Sequence, residues 1–227
     1  MKILGINGSP NIDGNTATII KWILKFCEAK KCQTEIVNIS EMNINYCKGC
    51  TPCLKSGRCI IRDDMDLLKN KIEDSDGVII GSPVYDGSVT AQLKTFLDRI
   101  ALFQLYYGLF DNKWSVGVST SGVAPTKRTA KECSFLKRSD IITSKTAKIN
   151  GGYLDITKSN YPKVFKKAEK VADKLINNIK ENPMFHPGNI KMKWIEFLRK
   201  NFLKKLIKKN PDNFFGVIQN WKEKSWL

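Results

Sequence analysis

Four short apolar runs, KILGI at 2–6, TEIVNIS at 34–40, GVIIGSPV at 77–84 and WSVGVST at 114–120, are separated by stretches long enough to hold a helix. This alternation constrains the fold more than any other feature. Parallel strands need crossovers of a dozen or more residues, and strands covered on both faces read as continuous apolar runs. The intervening segments carry helical spacing. Ile19, Ile20, Ile23, Leu24 and Cys27 recur on one face, widened by Trp22 and Phe26, after Asn15 and Thr16 as caps. A second helix starts at Asp63 or Asp64, read as its cap, and runs to about Glu73, while a third over 90–101 places Leu93, Phe96, Leu97 and Ile100 together. Further helices are expected over 127–137 and 161–179, with a fifth strand around Ala147 to Asn150. The expected fold is a doubly wound α/β sandwich with its crevice at the carboxyl ends of the strands. Three loops follow such ends, 7–16, 82–89 and 119–126, and all are rich in Gly, Ser, Thr and Pro.

With 227 residues, 42% apolar and 26% charged, the chain can bury one sizeable core and does not have the composition of a disordered protein. Its seven cysteines are an odd number, with four packed together and Cys27, Cys32 and Cys133 scattered, unlike the framework of a small secreted protein. MKILGINGSP has no leader pattern, and no apolar run approaches the roughly 18 residues of a membrane helix. A cytoplasmic protein without a membrane span is expected. The net charge of +16 favours acidic partners on general grounds. Ten Lys or Arg and three Asp or Glu fall between Pro183 and Leu227.

NGSPNIDGNT, 7–16, runs from a strand end into a helix start, where amides, hydroxyls and the helix N-terminus suit a phosphate. Gly8 and Gly14 are six apart and Asn15 stands where a triphosphate loop would have lysine; the GxGxxG spacing is also missing. A single phosphomonoester is the expected guest.

YCKGCTPCLKSGRC, 46–59, places Cys47, Cys50, Cys53 and Cys59 at C-x2-C-x2-C-x5-C spacing. Two overlapping short intervals wrap tightly, and four thiolates can take the corners of a [4Fe-4S] cube. Zinc also accepts four thiolates, though its structural sites more often use two separated CxxC arms. Free, redox-active or disulfide-linked thiols are the third possibility. Gly49 and Gly57 allow close bends, and Lys48, Lys55 and Arg58 can offset a cluster's negative charge.

Gly8-Ser9-Pro10 with Gly14-Asn15-Thr16, then Ser82-Pro83-Val84-Tyr85 with Gly87-Ser88-Val89-Thr90-Ala91 through Lys94, Phe96 and Asp98-Arg99, resemble the FMN-binding segments of the flavodoxin-like NAD(P)H-dependent FMN reductases. The cysteine stretch between them is similar to the motif of the iron-sulfur flavoproteins, a branch of that superfamily. The resemblance covers about residues 1–180 and implies a flavodoxin-like five-stranded parallel sheet with a cysteine loop insertion over 46–62; the tail carries no motif of that family and reads from its own residues as a basic helical C-terminal extension over 183–227. It implies that Ser9, Asn11, Asn15 and Thr16 surround the FMN phosphate, with Asn11 where relatives often have arginine. Pro83, Val84, Tyr85, Gly87 and Ser88 would line the isoalloxazine ring. Ser119, Thr120, Ser121 and Gly122 would form a third edge, where relatives often have paired glycines. The four cysteines would hold the [4Fe-4S] cluster.

Such a protein converts between paired and single electrons, with ferredoxin or a similar acidic carrier as partner and NAD(P)H as a further donor. The resemblance also implies a homotetramer, a dimer of dimers, with a cluster approaching a neighbour's FMN. No residue must move a proton, and the lone His186 reads as a surface or packing histidine. Two other functions fit the residues: a cluster-free NAD(P)H-dependent reductase of flavin, quinone or nitroaromatic substrates, and a redox sensor that binds nucleic acid or a membrane surface through its tail. Nucleic acid is not the expected partner. In the tail, KMKWIEFLRKNFLKKLIKK sets Trp194, Phe197, Leu198, Phe202 and Leu206 near one helical face, which is expected to cover a patch on its own protein or on an oligomer partner.

Overall fold

The computed structural model describes residues 1–134, 138–146, 148–149, 152–181 and 190–227. Strand β1 (Lys2–Asn7) leads into α1 (Asn15–Glu28), β2 (Gln33–Asn38), the short α2 (Pro52–Ser56) and α3 (Met65–Glu73). Then come β3 (Gly77–Pro83), α4 (Ala91–Leu102), β4 (Trp114–Ser121), α5 (Lys127–Cys133) and β5 (Arg138–Lys145). A two-residue hairpin, β6 (Lys148–Ile149) with β7 (Gly152–Tyr153), precedes α6 (Pro162–Glu181). The extension holds α7 (Ile190–Leu198), α8 (Lys204–Lys209) and α9 (Phe215–Glu223).

The five long strands form one parallel sheet in the order β2-β1-β3-β4-β5, the flavodoxin-like arrangement. The order reverses between β1 and β3, which opens the crevice there. One face is covered by α1 and α6: Ile19, Ile20 and Ile23 meet Ala168, Val171 and Leu175 over Ile3, Ile79 and Val116. The other face is covered by α3 and α4, with Leu68, Ile72, Leu93, Phe96 and Ile100 packed over Leu4, Ile6, Val78 and Ile80. Burial on both faces explains why β1 and β3 are near-continuous apolar runs, whereas β4 alternates Trp114, Val116 and Val118 with the small buried residues Ser115, Gly117 and Ser119.

The fifth strand lies at Arg138–Lys145, not around 147–150. As an edge strand it pairs with β4 on one side, so RSDIITSK can be largely polar and still belong to the sheet, with Ile142 fully buried. Ala147 and Asn150 lie outside the described residues, and Lys148–Ile149 belongs to the hairpin. Helix α5 ends at Cys133, and 135–137 lie outside the described residues, as does His186.

Both ends of α4 are tied to distant parts of the chain. Thr90 caps its start: the hydroxyl oxygen accepts from Leu93 N at 3.3 Å and the hydroxyl donates to the Gly8 carbonyl at 2.5 Å, tying the first loop to the second. Beyond Leu102 the helix widens into a π turn, Phe103–Tyr107. A widened last turn leaves carbonyls without helical donors. The extension supplies them: Arg199 donates to the carbonyls of Gln104 at 2.6 Å and Leu105 at 2.8 Å, Trp221 Nε1 to that of Tyr106 at 2.5 Å, and Lys224 to that of Tyr107. Arg199 is buried, paired with Asp111 and stacked 4.6 Å from the centre of the Trp226 ring.

The apolar contacts of the extension differ from the expected face. Ile207, Phe214, Val217 and Trp221 pack with Leu54 of α2 and with Tyr106. Trp194, Phe197, Phe202 and Leu206 stay 43–60% exposed. A second π turn, Arg199–Leu203, inserts one extra residue between them, which brings the Phe197 and Phe202 rings to 5.9 Å and turns Arg199 inward. Strict 3.6-residue counting cannot anticipate that shift.

Candidate functional site

Helix α1 begins after Gly14, not at an Asn15 or Thr16 cap. Gly14 is the N-cap, no side chain closes the helix start, and the first turn contains no acidic residue. The N-terminal amides are therefore unspent where the helix dipole favours an anion. The loop leading there is held by its own side chains. Asn7 Oδ1 accepts from Ser9 N at 3.1 Å, Ser9 Oγ from Asn11 N at 3.1 Å, and Asn11 Oδ1 from Asp13 N at 3.0 Å. Asn15 turns away to the hairpin side, with Nδ2 donating to the Leu154 carbonyl at 3.2 Å and Oδ1 accepting from Ile156 N at 2.6 Å. Its backbone, not its side chain, remains for an anion. The hydroxyls of Thr16 and Thr120 lie 2.7 Å apart, joining the first loop to the third.

The second loop is a tight turn. Tyr85 and Ser88 exchange backbone hydrogen bonds at 3.0 Å, and Asp86 (φ 46°) and Gly87 (φ 74°) between them have the paired positive angles of a two-residue hairpin. Val84 N donates to the Thr120 carbonyl at 2.9 Å, so this loop also meets the third. Tyr85 is 52% exposed at the rim, and Ser88 Oγ donates to Glu132 at 2.9 Å. In the third loop Ser121 Oγ accepts from Ala124 N at 2.8 Å. Ser119 is fully buried, and its Oγ has no hydrogen-bond partner among the described residues. The three loops thus converge on one end of the sheet, with Thr16, Thr90 and Thr120 as the stitches. They offer free amides for a phosphate and leave the Tyr85 ring exposed at the rim, donors and an aromatic face whose chemistry fits a flavin mononucleotide.

The cysteine loop follows β2, and its two stems are sewn together. Asn43 N donates to Asp64 Oδ2 at 2.7 Å and Asp64 N to the Asn43 carbonyl at 3.0 Å, while Asn45 N donates to Asp63 Oδ2 at 2.9 Å. Gly49, Thr51 and Gly57 take left-handed angles (φ 64°, 65° and 72°), which fold the segment tightly around α2. Cys47 and Cys50 are exposed, and Cys53 and Cys59 half-buried. The Tyr107 hydroxyl donates to the Cys53 carbonyl at 2.8 Å. Burial foremost, then the thiols of Cys59, Cys47 and Cys50, push the Cys53 thiol up to about 11. Cys53 is thus within electrostatic reach of the other three thiols of the loop.

Among the described residues no group of three or more His, Cys, Asp or Glu is arranged around a single metal ion. One tetrahedral ion needs its thiolates all at about 2.3 Å from a common point. A cluster instead binds each thiolate through a different iron, so its ligands stand further apart. The donor set, four thiols and exposed Lys48, Lys55 and Arg58, fits such a group in its chemistry.

Arg99 is placed differently from its position in the flavin-like motif. It lies at the cysteine-loop stems, with Nη1 donating to the Asn45 carbonyl at 2.6 Å and to Asp63 Oδ2 at 2.7 Å, and Nη2 to Asp63 Oδ1 at 2.9 Å. Both side chains are buried, at 1% and 0% exposure. The signal in the sequence was an arginine at helical spacing from Phe96 on an otherwise apolar face, a position that demands a buried acid. Asp63 is that acid. It also accepts from Met65 N at 3.2 Å, while Asp64 occupies the cap position of α3 without a side-chain capping bond.

The flavin-like loops and the cysteines are at opposite ends of α4. Nine residues separate Thr90 from Arg99, a rise of about 13 Å along the helix. Tyr107, which holds Cys53, lies further on still.

The family model described as NADPH-dependent FMN reductase matches residues 1–134. An iron-sulfur flavoprotein of Archaeoglobus fulgidus is 51% identical over 100 residues, covering 44% of this chain and 46% of that one. The chain thus spans about half the length of several curated relatives it matches. An iron-sulfur flavoprotein of Clostridioides difficile is 32% identical over 232 residues, covering 98% of each chain, extension included. Among solved structures a flavone reductase superposes with a TM-score of 0.60 at 17% identity, over 82% of this chain and 66% of that one, which is a likeness of fold.

Proposed function

The chain belongs to the iron-sulfur flavoproteins of the NADPH-dependent FMN reductase family, and on that premise we propose that it passes electrons between an FMN at the ends of β1, β3 and β4 and a [4Fe-4S] cluster on Cys47, Cys50, Cys53 and Cys59. The observation that carries the reading is the coexistence, in one chain, of three converging FMN-type loops and a separately anchored four-thiol loop. When bound, FMN takes up electrons in pairs or singly and a cluster only singly, so a protein with both couples two-electron donors such as NAD(P)H to one-electron carriers such as ferredoxin.

The chain's own residues bind and orient. The free amides after Gly14 and the Ser9 loop receive the phosphate, and the turn from Pro83 to Ser88, with Tyr85 as its wall, supports the ring. Ser119, Thr120, Ser121 and Gly122 close the third edge, with Thr120 bridged to Thr16 and Ser121 closing its own turn. Asn11, its oxygen already accepting from Asp13, binds as a neutral group where an arginine would add charge. No side chain of the site must hold or move a proton.

The two ends of α4 keep thiols and flavin of one subunit apart, which supports an arrangement where the cysteine loop meets the FMN of a neighbouring copy in a homotetramer. Anaerobic purification followed by iron, sulfide, zinc and flavin analysis tests the reading. About four iron, four sulfide and one FMN per chain are expected; zinc without sulfide would overturn it.

A further inference from the structure

The stems of the cysteine loop meet α4 at one side chain. Arg99 is 1% exposed, its Nη groups are spent on the Asn45 carbonyl and on Asp63, and its Nε is buried without a partner in good geometry among the described residues. Asn45 stands two residues before the first cysteine and Asp63 four after the last. An unpaired buried donor is rare and costly, so it marks a place where an acceptor belongs. Cys59 and Asp63 are the side chains whose charges act on the same guanidinium.

We propose that Arg99 is the positioning residue of the four-cysteine loop: its buried guanidinium ties both stems to α4 and keeps Nε–H as a donor for the metal-bound sulfur of Cys59. This rests on the cluster reading above. Partners that hold metal ligands in place fix their orientation and tune the metal's potential through hydrogen bonds and charge. A lysine cannot replace the fork, because it has the charge without the planar, bidentate geometry.

Wild type, Arg99→Lys, Arg99→Gln and Asp63→Asn are prepared anaerobically, reconstituted with iron and sulfide, and compared by chelator titration and by the cluster's midpoint potential. Both Arg99 variants should lose half their iron at a chelator concentration about 10-fold lower than wild type, with FMN retained. Arg99→Gln, losing a cation, should lower the potential; Asp63→Asn, losing an anion, should raise it; Arg99→Lys should leave it near wild type. A merely structural role would move Gln and Asn variants in the same direction. Wild-type iron retention and potential in Arg99→Gln overturn the inference alone, as does loss of FMN together with iron in all three variants. If Arg99→Gln does not fold, Arg99→Lys decides, since wild-type iron retention there is equally fatal. A wild-type chain that takes up no iron and sulfide overturns the cluster reading and this inference with it.

Discussion

Burial by itself would raise the carboxyl of Asp63, but hydrogen bonds from Arg99, from the amides of Asn45 and Met65 and from the Asn45 side chain hold it at about 2, below the usual carboxylate range. A carboxyl lowered on folding stabilises the protein above its unfolded pKa, and the contribution disappears as pH falls through the folded value. The window is therefore from about pH 4 down to about 2, and the contribution at neutral pH is about 2 kcal/mol. Urea unfolding at pH 5 and pH 2 should show wild type losing about that much more stability than Asp63→Asn between the two. Equal losses would show that the ion pair does not control the titration. A cap role was the natural sequence reading of Asp63, because nothing local distinguishes a helix-starting aspartate from one reaching 36 residues to an arginine.

At the scale of elements, the cysteine loop is clamped between α4 and α9. A methyl at Gly216 would lie 2.8 Å from the Lys55 carbonyl oxygen, 2.9 Å from Gly57 N and 3.0 Å from the Tyr107 hydroxyl. The first two are backbone atoms and cannot rotate away. Gly216→Ala should cost about 1–3 kcal/mol, read as a lower unfolding midpoint, and it should loosen α2, read as faster amide exchange at Leu54. An unchanged midpoint would mean that α9 is not pressed against the loop. The buried strands β1 and β3 were legible because a strand covered on both faces announces itself as an apolar run. Strand β5 was not, since an edge strand needs no such run, and neither were the π turns, whose extra residue is set by what Arg199 and Trp221 reach.

For the whole molecule, the +16 charge is only partly free for partners. Arg199 and Lys224 are spent on carbonyls of the π turn, and Arg99 on the loop stems. Lys48, Lys55 and Arg58 remain exposed around the cysteines, a local field suited to an acidic carrier. Electron exchange with an acidic ferredoxin should slow by roughly 10-fold or more from low to high ionic strength, measured by stopped-flow absorbance. A rate independent of salt would exclude steering. Among the described residues no helix is long and apolar enough to cross a membrane. By itself the amino-acid sequence determined the parallel sheet, the crevice at its carboxyl end and the closeness of four thiols, because each follows from periodicity or from thirteen residues of chain. Only the tertiary structure decided that the thiols sit at the far end of α4 from the flavin-type loops, that Arg99 serves their loop, and that the basic tail is seated on the carbonyls of a widened helix end. Those contacts join residues 36 to 115 positions apart, and no local pattern encodes which distant acceptor a buried cation or indole will find.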